Sequence, residues 1–360
     1  MIIFIILLII LGKNFYVFFR LWHILPAGRI LLAVAAILLI LCFFAGMLGG
    51  NFLPSGVVGF AYRIGTAWFF VALYLLFIFL FIDLLRLVLP MQKILYENWL
   101  TLGVLTVVLT AVFTYGYFNY RNKQRVELAL TTNKPINRLK IVAISDLHLG
   151  YNIGTAELDE WIKLINLENP DIVIMAGDVI DNHIERVVKQ NFSFDKIKSR
   201  YGVYACIGNH EYIGSTSKIS KSLDFLSDAK VTVLRDTAIL INDEFYLVGR
   251  DDRINSKRKS LSELTQTLDT TKPIILLDHQ PYNLEETAKN GIDLQFSGHT
   301  HNGQLPPVSW ITKRMYEVSH GYISKGNSHI YVSSGIGIWG GKFRIGTHSE
   351  YVVITLKHLM

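Results

Sequence analysis

Four long apolar stretches occupy the first third of the 360-residue chain, and they constrain its fold more than any other feature. An α-helix needs roughly 20 residues to cross the hydrocarbon core of a bilayer, and each stretch approaches or exceeds that length. Trp and Tyr side chains near the ends of these stretches suit the membrane–water interface. We therefore predict a four-helix transmembrane domain over residues 1–120, with spans at 2–22, 30–48, 66–89 and 99–118.

The first stretch is interpreted as an anchor rather than as a cleavable signal peptide. It has no basic segment before it and no small-residue cleavage site after it, and three further spans follow. Four basic residues flank the spans on each side, so the charges leave the orientation open. The first helix on its own favours a C-terminal part outside the cytoplasm. The chain is thus predicted to be a multi-pass integral membrane protein.

Asp83 and Arg86 are ionisable residues inside the third predicted span. They are three positions apart, so they share a helical face and can pair. Both lie within the last two turns before Pro90, where the side chain can extend and place its charged end at the membrane–water interface. A structural ion pair is the favoured interpretation, and a headgroup or interhelical role is the alternative.

The net charge of +6 is not distributed in a way that favours nucleic acid. Residues 1–120 carry six basic and two acidic side chains, which leaves a net charge of only +2 for the rest of the chain. No basic stripe stands out in that remainder. The composition therefore indicates no nucleic-acid partner.

Residues 121–138 change abruptly to polar composition and are predicted to form a basic juxtamembrane linker that could lie on anionic headgroups. From residue 139, apolar runs of strand length at first alternate with segments of helical periodicity, as in Leu158, Trp161, Ile162 and Ile165. Further along the chain, strand-length runs follow one another closely. This order predicts an α/β domain over 139–360, with two packed sheets and helices outside them.

Polar clusters follow five of the predicted strands directly. They are Asp146-x-His148, Gly177-Asp178-x-x-Asp181, Gly208-Asn209-His210-Glu211, Asp278-His279 and Gly298-His299-Thr300-His301. A single cluster of this kind is usually a turn, but all five could converge at one edge of a sheet. Carboxylate, imidazole and amide ligands suit Mn²⁺, Fe and Zn²⁺, and the absence of thiolates argues against a structural zinc site. Two such cations about 3.5–4 Å apart can clamp a phosphoryl group and activate water.

In type, order and context these clusters resemble the motifs of the calcineurin-like metallophosphoesterases, which are D-x-H, G-D-x-x-D, G-N-H-E, H and G-H-x-H. The resemblance covers about residues 139–360. It is nearest to a bacterial, membrane-anchored branch with Ser-Gly-His-Thr-His-x-Gly-Gln from Ser297 and a Gly-x-Gly-x-Trp-Gly stretch from Gly335. It implies a four-layer αββα sandwich of two mixed sheets flanked by helices, and a location in the bacterial cell membrane.

The resemblance also implies a role for each residue of the clusters. Seven are implied as ligands of two divalent ions (Mn, Fe or Zn): Asp146, His148 and His301 for one, Asn209, His279 and His299 for the other, with Asp178 bridging both. His210 is implied as the catalytic residue beside the substrate phosphate, and Asp181 as the acid that orients it. The simpler alternatives are a loop-packing histidine and an ordinary turn acid.

Two positions depart from the pattern of the family. Asn182 stands where the protein Ser/Thr phosphatases of this superfamily have an arginine, which weakens the case for a phosphoprotein substrate. Asp278 stands where a small neutral residue is common before the histidine. It could polarise the imidazole of a ligand or merely bend the loop, and both interpretations stay open.

The leading hypothesis is a membrane-anchored, dinuclear phosphoesterase that hydrolyses phosphomonoester, phosphodiester or pyrophosphate bonds by attack of a metal-bound hydroxide. Apolar residues beyond the metal motifs, among them Leu305, Trp310, Tyr316, Tyr322 and Trp339, are packing residues in the simpler interpretation but could admit an acyl or isoprenoid chain. A lipid or lipid-linked substrate, with membrane lipids as neighbours, is therefore favoured. The alternatives are a phosphodiesterase for soluble nucleotides or envelope polymers, and a non-catalytic metal-binding membrane sensor or scaffold.

Overall fold

The computed structural model describes residues 2–89, 92–181, 183–213 and 218–359, so Asn182 lies outside the described residues. The chain divides into two compact units. The first comprises Met1–Tyr117 together with Gly340–Lys342, and the second comprises Phe118–Trp339 together with Phe343–Met360.

Long apolar helices dominate the N-terminal region. Across the described residues they are α1 (Ile2–Ile24), α2 (Arg29–Leu48), α3 (Ser55–Leu85) and α4 (Trp99–Arg121), with short 3-10 turns at Gly49–Asn51 and Gln92–Leu95. All four helices are long and apolar enough to cross a membrane. The prediction of four such helices is therefore confirmed.

The third helix differs from its predicted span at both ends. It begins at Ser55, eleven residues before the predicted start at 66, and it ends at Leu85, before the predicted end at 89. Hydropathy located only the most apolar part, because Arg63 and three glycines dilute residues 55–65 without a proline to break the helix. Residues 86–89 turn instead, and Pro90 follows in the sequence, which disfavours helical backbone before it.

Asp83 makes the ion pair that its spacing predicted. Its Oδ1 lies 3.3 Å from Nη1 of Arg86. Its Oδ2 accepts a 2.5 Å hydrogen bond from the hydroxyl of Tyr16 and also pairs with Arg20. Because Tyr16 and Arg20 lie on α1, Asp83 also links two helices, which is the interhelical role that the sequence left as the alternative.

The second unit contains, among the residues that the structure describes, two six-stranded mixed sheets. The strands, numbered along the chain, are β1 (Lys123–Thr132), β2 (Leu139–Ile144), β3 (Ile172–Ala176), β4 (Val203–Cys206), β5 (Thr232–Val233), β6 (Thr237–Ile241), β7 (Phe245–Gly249), β8 (Ile274–Leu277), β9 (Leu294–Ser297), β10 (Gly321–Lys325), β11 (Ser328–Val332) and β12 (Ser349–His358). One sheet has the order β1-β12-β2-β3-β4-β5 and the other the order β10-β11-β9-β8-β7-β6.

Helices flank both sheets. They are α5 (Thr155–Leu167), α6 (Ile184–Lys189), α7 (Lys218–Asp228), α8 (Leu261–Thr265), α9 (Glu285–Lys289) and α10 (Val308–Met315). The buried residues form layers that follow the two-residue period of the strands. Val142 and Ile144 pack with Trp161 of α5, whereas Ile141 and Ala143 pack between the sheets. The predicted sandwich of two mixed sheets with outer helices is confirmed.

The segment predicted as a linker is largely a strand. β1 pairs in parallel with β12 from Lys123 to Thr132. Its apolar side chains Val126, Leu128 and Leu130 alternate with polar ones and pack against the cluster between the sheets. The polar composition of 121–138 suggested a linker because every second residue of an edge strand faces outward. The linker prediction is therefore wrong for residues 123–132.

Candidate metal centre

Five loops that carry the predicted site residues follow β2, β3, β4, β8 and β9. The first three strands are parallel neighbours in one sheet, and the last two are parallel neighbours in the other. Parallel neighbours end at the same edge, and the two sheets share one hydrophobic cluster, so the loops meet. All nine predicted site residues are brought together there.

Asp146, His148 and His301 form one group of candidate ligand atoms, all within 4.8 Å of one another. Nε2 of His148 lies 3.1 Å from Nε2 of His301, which lies 3.5 Å from Oδ1 of Asp146. The backbone N–H of His299 donates to Asp146 at 3.0 Å and holds its carboxylate in place. The predicted grouping is therefore present in space, although ion binding by these residues stays a prediction.

Asn209, His279 and His299 meet on the other side of the site. Oδ1 of Asn209 lies 3.1 Å from Nε2 of His279 and 2.7 Å from Nδ1 of His299. Nδ1 of His279 lies 2.7 Å from the backbone carbonyl of Ala176, to which it donates, and this bond turns Nε2 of the ring into the site. A backbone partner of this kind commonly sets the tautomer of a histidine that binds metal.

Asp178 lies between the two groups. Its Oδ2 is 3.1 Å from Nε2 of His279 and 3.9 Å from Nε2 of His148. Its Oδ1 accepts a 2.8 Å hydrogen bond from the backbone N–H of His210. This position is the one that a bridging carboxylate would occupy.

The chemistry of the donor set fits divalent cations. Around Asn209, the amide oxygen faces Nε2 of His279, whose proton is on Nδ1, and the Asp178 carboxylate faces the same nitrogen. Lone pairs that face one another at these distances repel unless a cation or a proton lies between them. Carboxylate, imidazole and amide oxygens in such an arrangement suit Mn²⁺, Fe and Zn²⁺.

The pKa shifts at the site also favour a cation among these residues. Burial lowers the pKa of His148 to about 3 and that of His299 to about 4, so both are neutral imidazoles, the form that binds metal. Burial also lowers the pKa of His279, but Asp178 and the neighbouring carboxylates outweigh it and raise that pKa well above its usual value. The field at His279 therefore favours a positive charge in the place where the predicted ligands converge.

The backbone of the predicted ligands is unusual. Of the seven, all of which the structure describes, five have a positive φ between 49° and 71°: Asp146, His148, Asp178, His299 and His301. This left-handed conformation costs a non-glycine residue free energy and persists only where the surroundings enforce it. Gly298 shows the crowding, since a Cβ there would lie 2.4 Å from Oδ2 of Asp146. Strain concentrated in one cluster is typical of a functional site.

His210 and Asp181 lie beside this cluster, as predicted. Nδ1 of His210 is 3.4 Å from Oδ1 of Asp181, and the ring of His210 stands edge-on to that of His148, with centroids 4.6 Å apart. Burial lowers the pKa of His210, but Asp178 and Asp181 together outweigh it and raise the pKa above its usual value. The imidazole is therefore placed to hold a proton next to the candidate ligands, and its catalytic role stays a prediction.

The structure gives Asp278 a role that neither of its two interpretations named. Its carboxylate accepts hydrogen bonds from Arg250 at 3.0 Å and from Arg258 at 3.1 and 3.2 Å. The neighbouring His279 uses Nδ1 on Ala176 instead. Asp278 thus anchors two arginines of the loop that follows β7, and it does not polarise the imidazole next to it.

Sequence reasoning gave no role to two buried residues that shape the site. The Glu211 carboxylate accepts hydrogen bonds from the backbone N–H groups of Asp178, Ile180 and Gly208, and so ties the loops after β3 and β4 together. The guanidinium of Arg344 donates to the carbonyl of His301 at 2.5 Å. Glu211 stands within a motif and could have been suspected, whereas nothing near Arg344 in the sequence signals its partner.

The C-terminal part of the chain is similar to a known family and to several proteins. The family described as calcineurin-like phosphoesterase matches residues 139–303, which include all nine predicted site residues. An uncharacterized metallophosphoesterase of Campylobacter jejuni is 33% identical over 61% of this chain and 59% of its own length. An uncharacterized metallophosphoesterase of Helicobacter pylori strain J99 is 30% identical over 74% of this chain and 73% of its own length. A Danio rerio protein named transmembrane protein with metallophosphoesterase domain is 30% identical over 71% of this chain and 62% of its own length.

Proposed function

This chain belongs to the calcineurin-like metallophosphoesterase family, whose members are metal-dependent hydrolases of phosphoric esters, and we propose that it is a membrane-anchored phosphoesterase with a dinuclear metal site. The observation that carries the proposal is the position of the Asp178 carboxylate between the two groups of candidate ligands. Four helices long enough to cross a membrane support the anchoring.

Each residue of the site has a proposed task. Asp146, His148 and His301 would hold one divalent cation, and Asn209, His279 and His299 would hold the other, with Asp178 shared. Cations in these places would neutralise the charge of a phosphoryl group and lower the pKa of water.

His210 would protonate the leaving oxygen. Its imidazole borders the cluster and keeps a proton because Asp178 and Asp181 outweigh the effect of burial. Asp181 would hold the imidazole in orientation through the Nδ1 side. Neither residue belongs to the two proposed ligand sets, so loss of either should slow the reaction more than it removes metal. Because both also lie with His148 in a third group of candidate ligand atoms, metal content is measured beside kcat.

We propose a lipid or lipid-linked phosphoester as the substrate class. The chain combines four candidate membrane spans with a hydrolase domain, so a substrate held in the bilayer would be concentrated near the enzyme. The test is the activity of purified full-length protein with Mn²⁺ on lipid phosphoesters in mixed micelles and on soluble diesters. Activity on soluble esters with none on lipid esters would contradict the lipid part.

Two variants test the site itself. Asp178→Asn should abolish turnover and reduce the metal content from two ions per chain, because the shared carboxylate is lost. His210→Ala should lower kcat about 100-fold or more while both ions stay bound. Asp224→Asn on the exposed side of α7 is the matched control. Full turnover in both site variants would contradict the enzymatic role.

A further inference from the structure

The short helix α10 is attached at both ends to loops of the candidate metal centre. It begins seven residues after His301, and the backbone N–H of Ser309 donates to the carbonyl of Leu305 at 3.0 Å. At its other end, the ring of Tyr316 stands edge-on to the ring of His299, with centroids 6.2 Å apart, and its hydroxyl lies 3.1 Å from that of Tyr282. The helix therefore has a fixed place beside the predicted ligands.

One face of α10 is buried and the rest is exposed and largely apolar. Ser309 and Thr312 are buried, whereas Trp310 is 66%, Ile311 54% and Met315 64% exposed. Outside α10, the large apolar side chains exposed among the described residues from 123 to 359 occur singly in their elements or loops: Leu167, Val188, Ile213, Leu240, Ile254, Tyr322 and Leu359. A concentrated apolar surface on one rigid element indicates a binding surface.

The charge on the helix is basic. Lys313 and Arg314 lie in the last turn of α10 and are exposed, and Arg314 lies between the positions of Trp310 and Ile311 around the helix. Glu317, the acid that follows in sequence, is paired with Lys325 at 2.5 Å. Tryptophan, aliphatic and basic side chains on one face are typical of helices that lie in the headgroup region of a membrane, where long basic side chains reach the phosphates.

We propose that α10 lies in the headgroup region of the bilayer and presents the candidate metal centre to the lipid surface. The occupant of its apolar face is the membrane itself, because the same chain carries four helices suited to a bilayer and the helix carries positive charge for anionic headgroups. This inference deepens the proposed function and rests on it for the lipid substrate. Phosphoester groups at the membrane surface would then meet the site without leaving the bilayer.

Quenching by labelled lipids tests the position of the helix. Full-length protein with Cys42→Ser is reconstituted into phosphatidylcholine vesicles with and without phosphatidylglycerol, and a fluorophore is attached at Ile311→Cys. Cys206 is buried and stays unlabelled. The control is Leu240→Cys, an exposed apolar residue on β6. Nitroxides on the lipids should quench the probe at position 311 at least about twofold more than the probe at position 240, and more so with phosphatidylglycerol.

Two outcomes would overturn the inference. Equal quenching at the two positions would place α10 away from lipid. Crosslinking of two copies through position 311, without quenching by lipid, would show that a second copy covers this face instead.

An activity ratio tests the consequence of the placement. In the double variant Trp310→Glu, Ile311→Glu, the ratio of activity on a vesicle-borne lipid phosphoester to activity on a soluble ester should fall about tenfold. The matched control is the double variant Leu240→Glu, Ile254→Glu, which changes two exposed apolar residues elsewhere in the second unit. An unchanged ratio in the α10 variant would contradict the inference.

Failure of the inference and failure of the proposed function give different results. If the protein hydrolyses no phosphoester but position 311 is quenched, the proposed function falls and the membrane position of α10 stands. If lipid and soluble esters are both hydrolysed but position 311 is not quenched, the proposed function stands and α10 has another partner.

Discussion

Arg344 is fully buried, and its guanidinium holds two loops of the candidate metal centre together. It donates to the carbonyl of His301 on one side and to those of Ser334 and Gly337 on the other, and its Nε donates to the hydroxyl of Ser349 at 3.2 Å. Burial lowers its pKa only to about 10, so it remains a cation at neutral pH. A planar group with five donors can serve these acceptors at once, and an ammonium cannot.

Arg344→Lys should therefore loosen the His301 loop. We expect a loss of roughly 3 kcal/mol of stability, because buried carbonyl groups lose their donors. The measurements are the apparent unfolding temperature of the solubilised full-length protein and its metal content. Arg200→Lys, at an exposed arginine, is the control and should change neither. Normal metal content and stability in Arg344→Lys would show that the guanidinium is not needed to position His301.

Asp181 is a positioning residue for His210 in the proposed mechanism. Its Oδ1 lies 3.4 Å from Nδ1 of His210 and 3.8 Å from Nδ1 of His148. Asp181→Asn removes the charge but keeps the size, so we expect kcat to fall about 10- to 100-fold with little change in KM. Steady-state kinetics with metal analysis measures this, and Asp195→Asn at an exposed acid is the control. Loss of metal in place of a lower kcat would assign Asp181 to the ligand set.

Some residues of the site could be predicted from the sequence and others could not. The predicted ligands could be found because each follows a strand in a short motif, and the structure brings all of them together. Arg344 could not be found, since its partners are backbone carbonyls of residues far away in the sequence, and any residue type supplies a carbonyl. Asp278 needed its two arginines before its role could be assigned.

Among the elements, α2 and α3 pack closely through small residues. A Cβ on Gly65 would lie 2.4 Å from the Cα of Phe43, and one on Gly46 would lie 2.4 Å from the Cα of Tyr62. Both contacts are with backbone, which cannot move aside as a side chain can. Small residues that allow such an approach are the usual means of packing apolar helices in membranes.

Gly65→Ala should push α2 and α3 apart. We expect a destabilisation of about 1–3 kcal/mol from overpacking, seen as a lower apparent unfolding temperature in detergent. Gly103→Ala on α4 is a matched control, since nothing lies within 4 Å of the Cβ it would add. Equal stability of the two variants would mean that the contact between α2 and α3 relaxes at no cost.

Helices and strands were predictable where the sequence pattern was strong and no other feature obscured it. The β6–β7 hairpin is present around Asn242 and Asp243, as the turn residues predicted, and both have positive φ. The start of α3 was missed because hydropathy measures apolarity rather than helix formation. The strand β1 was missed because an edge strand with one polar face has the composition of a linker.

At the scale of the whole molecule, β1 places the start of the hydrolase domain well before residue 139. Its ten residues pair with β12, and Leu130 is buried between the sheets. Before β1, the amide nitrogen of Asn119 donates to the carbonyls of Arg344 and Thr347, both at 2.8 Å. The contacts of this domain thus begin at Asn119, near the end of α4, and not at residue 139.

Two fragments of the chain would test this boundary. A fragment of residues 118–360 should fold cooperatively, whereas one of residues 139–360 should unfold at a clearly lower temperature and aggregate. The shorter fragment exposes the edge of β12 to other chains and loses the apolar contacts of Val126, Leu128 and Leu130. Loss of the buried Leu130 side chain alone should cost about 3 kcal/mol. Thermal unfolding followed by circular dichroism, with size-exclusion chromatography for aggregation, makes the comparison. If both fragments unfold at the same temperature and stay monomeric, β1 is an accessory strand and residues 121–138 act as a tether after all.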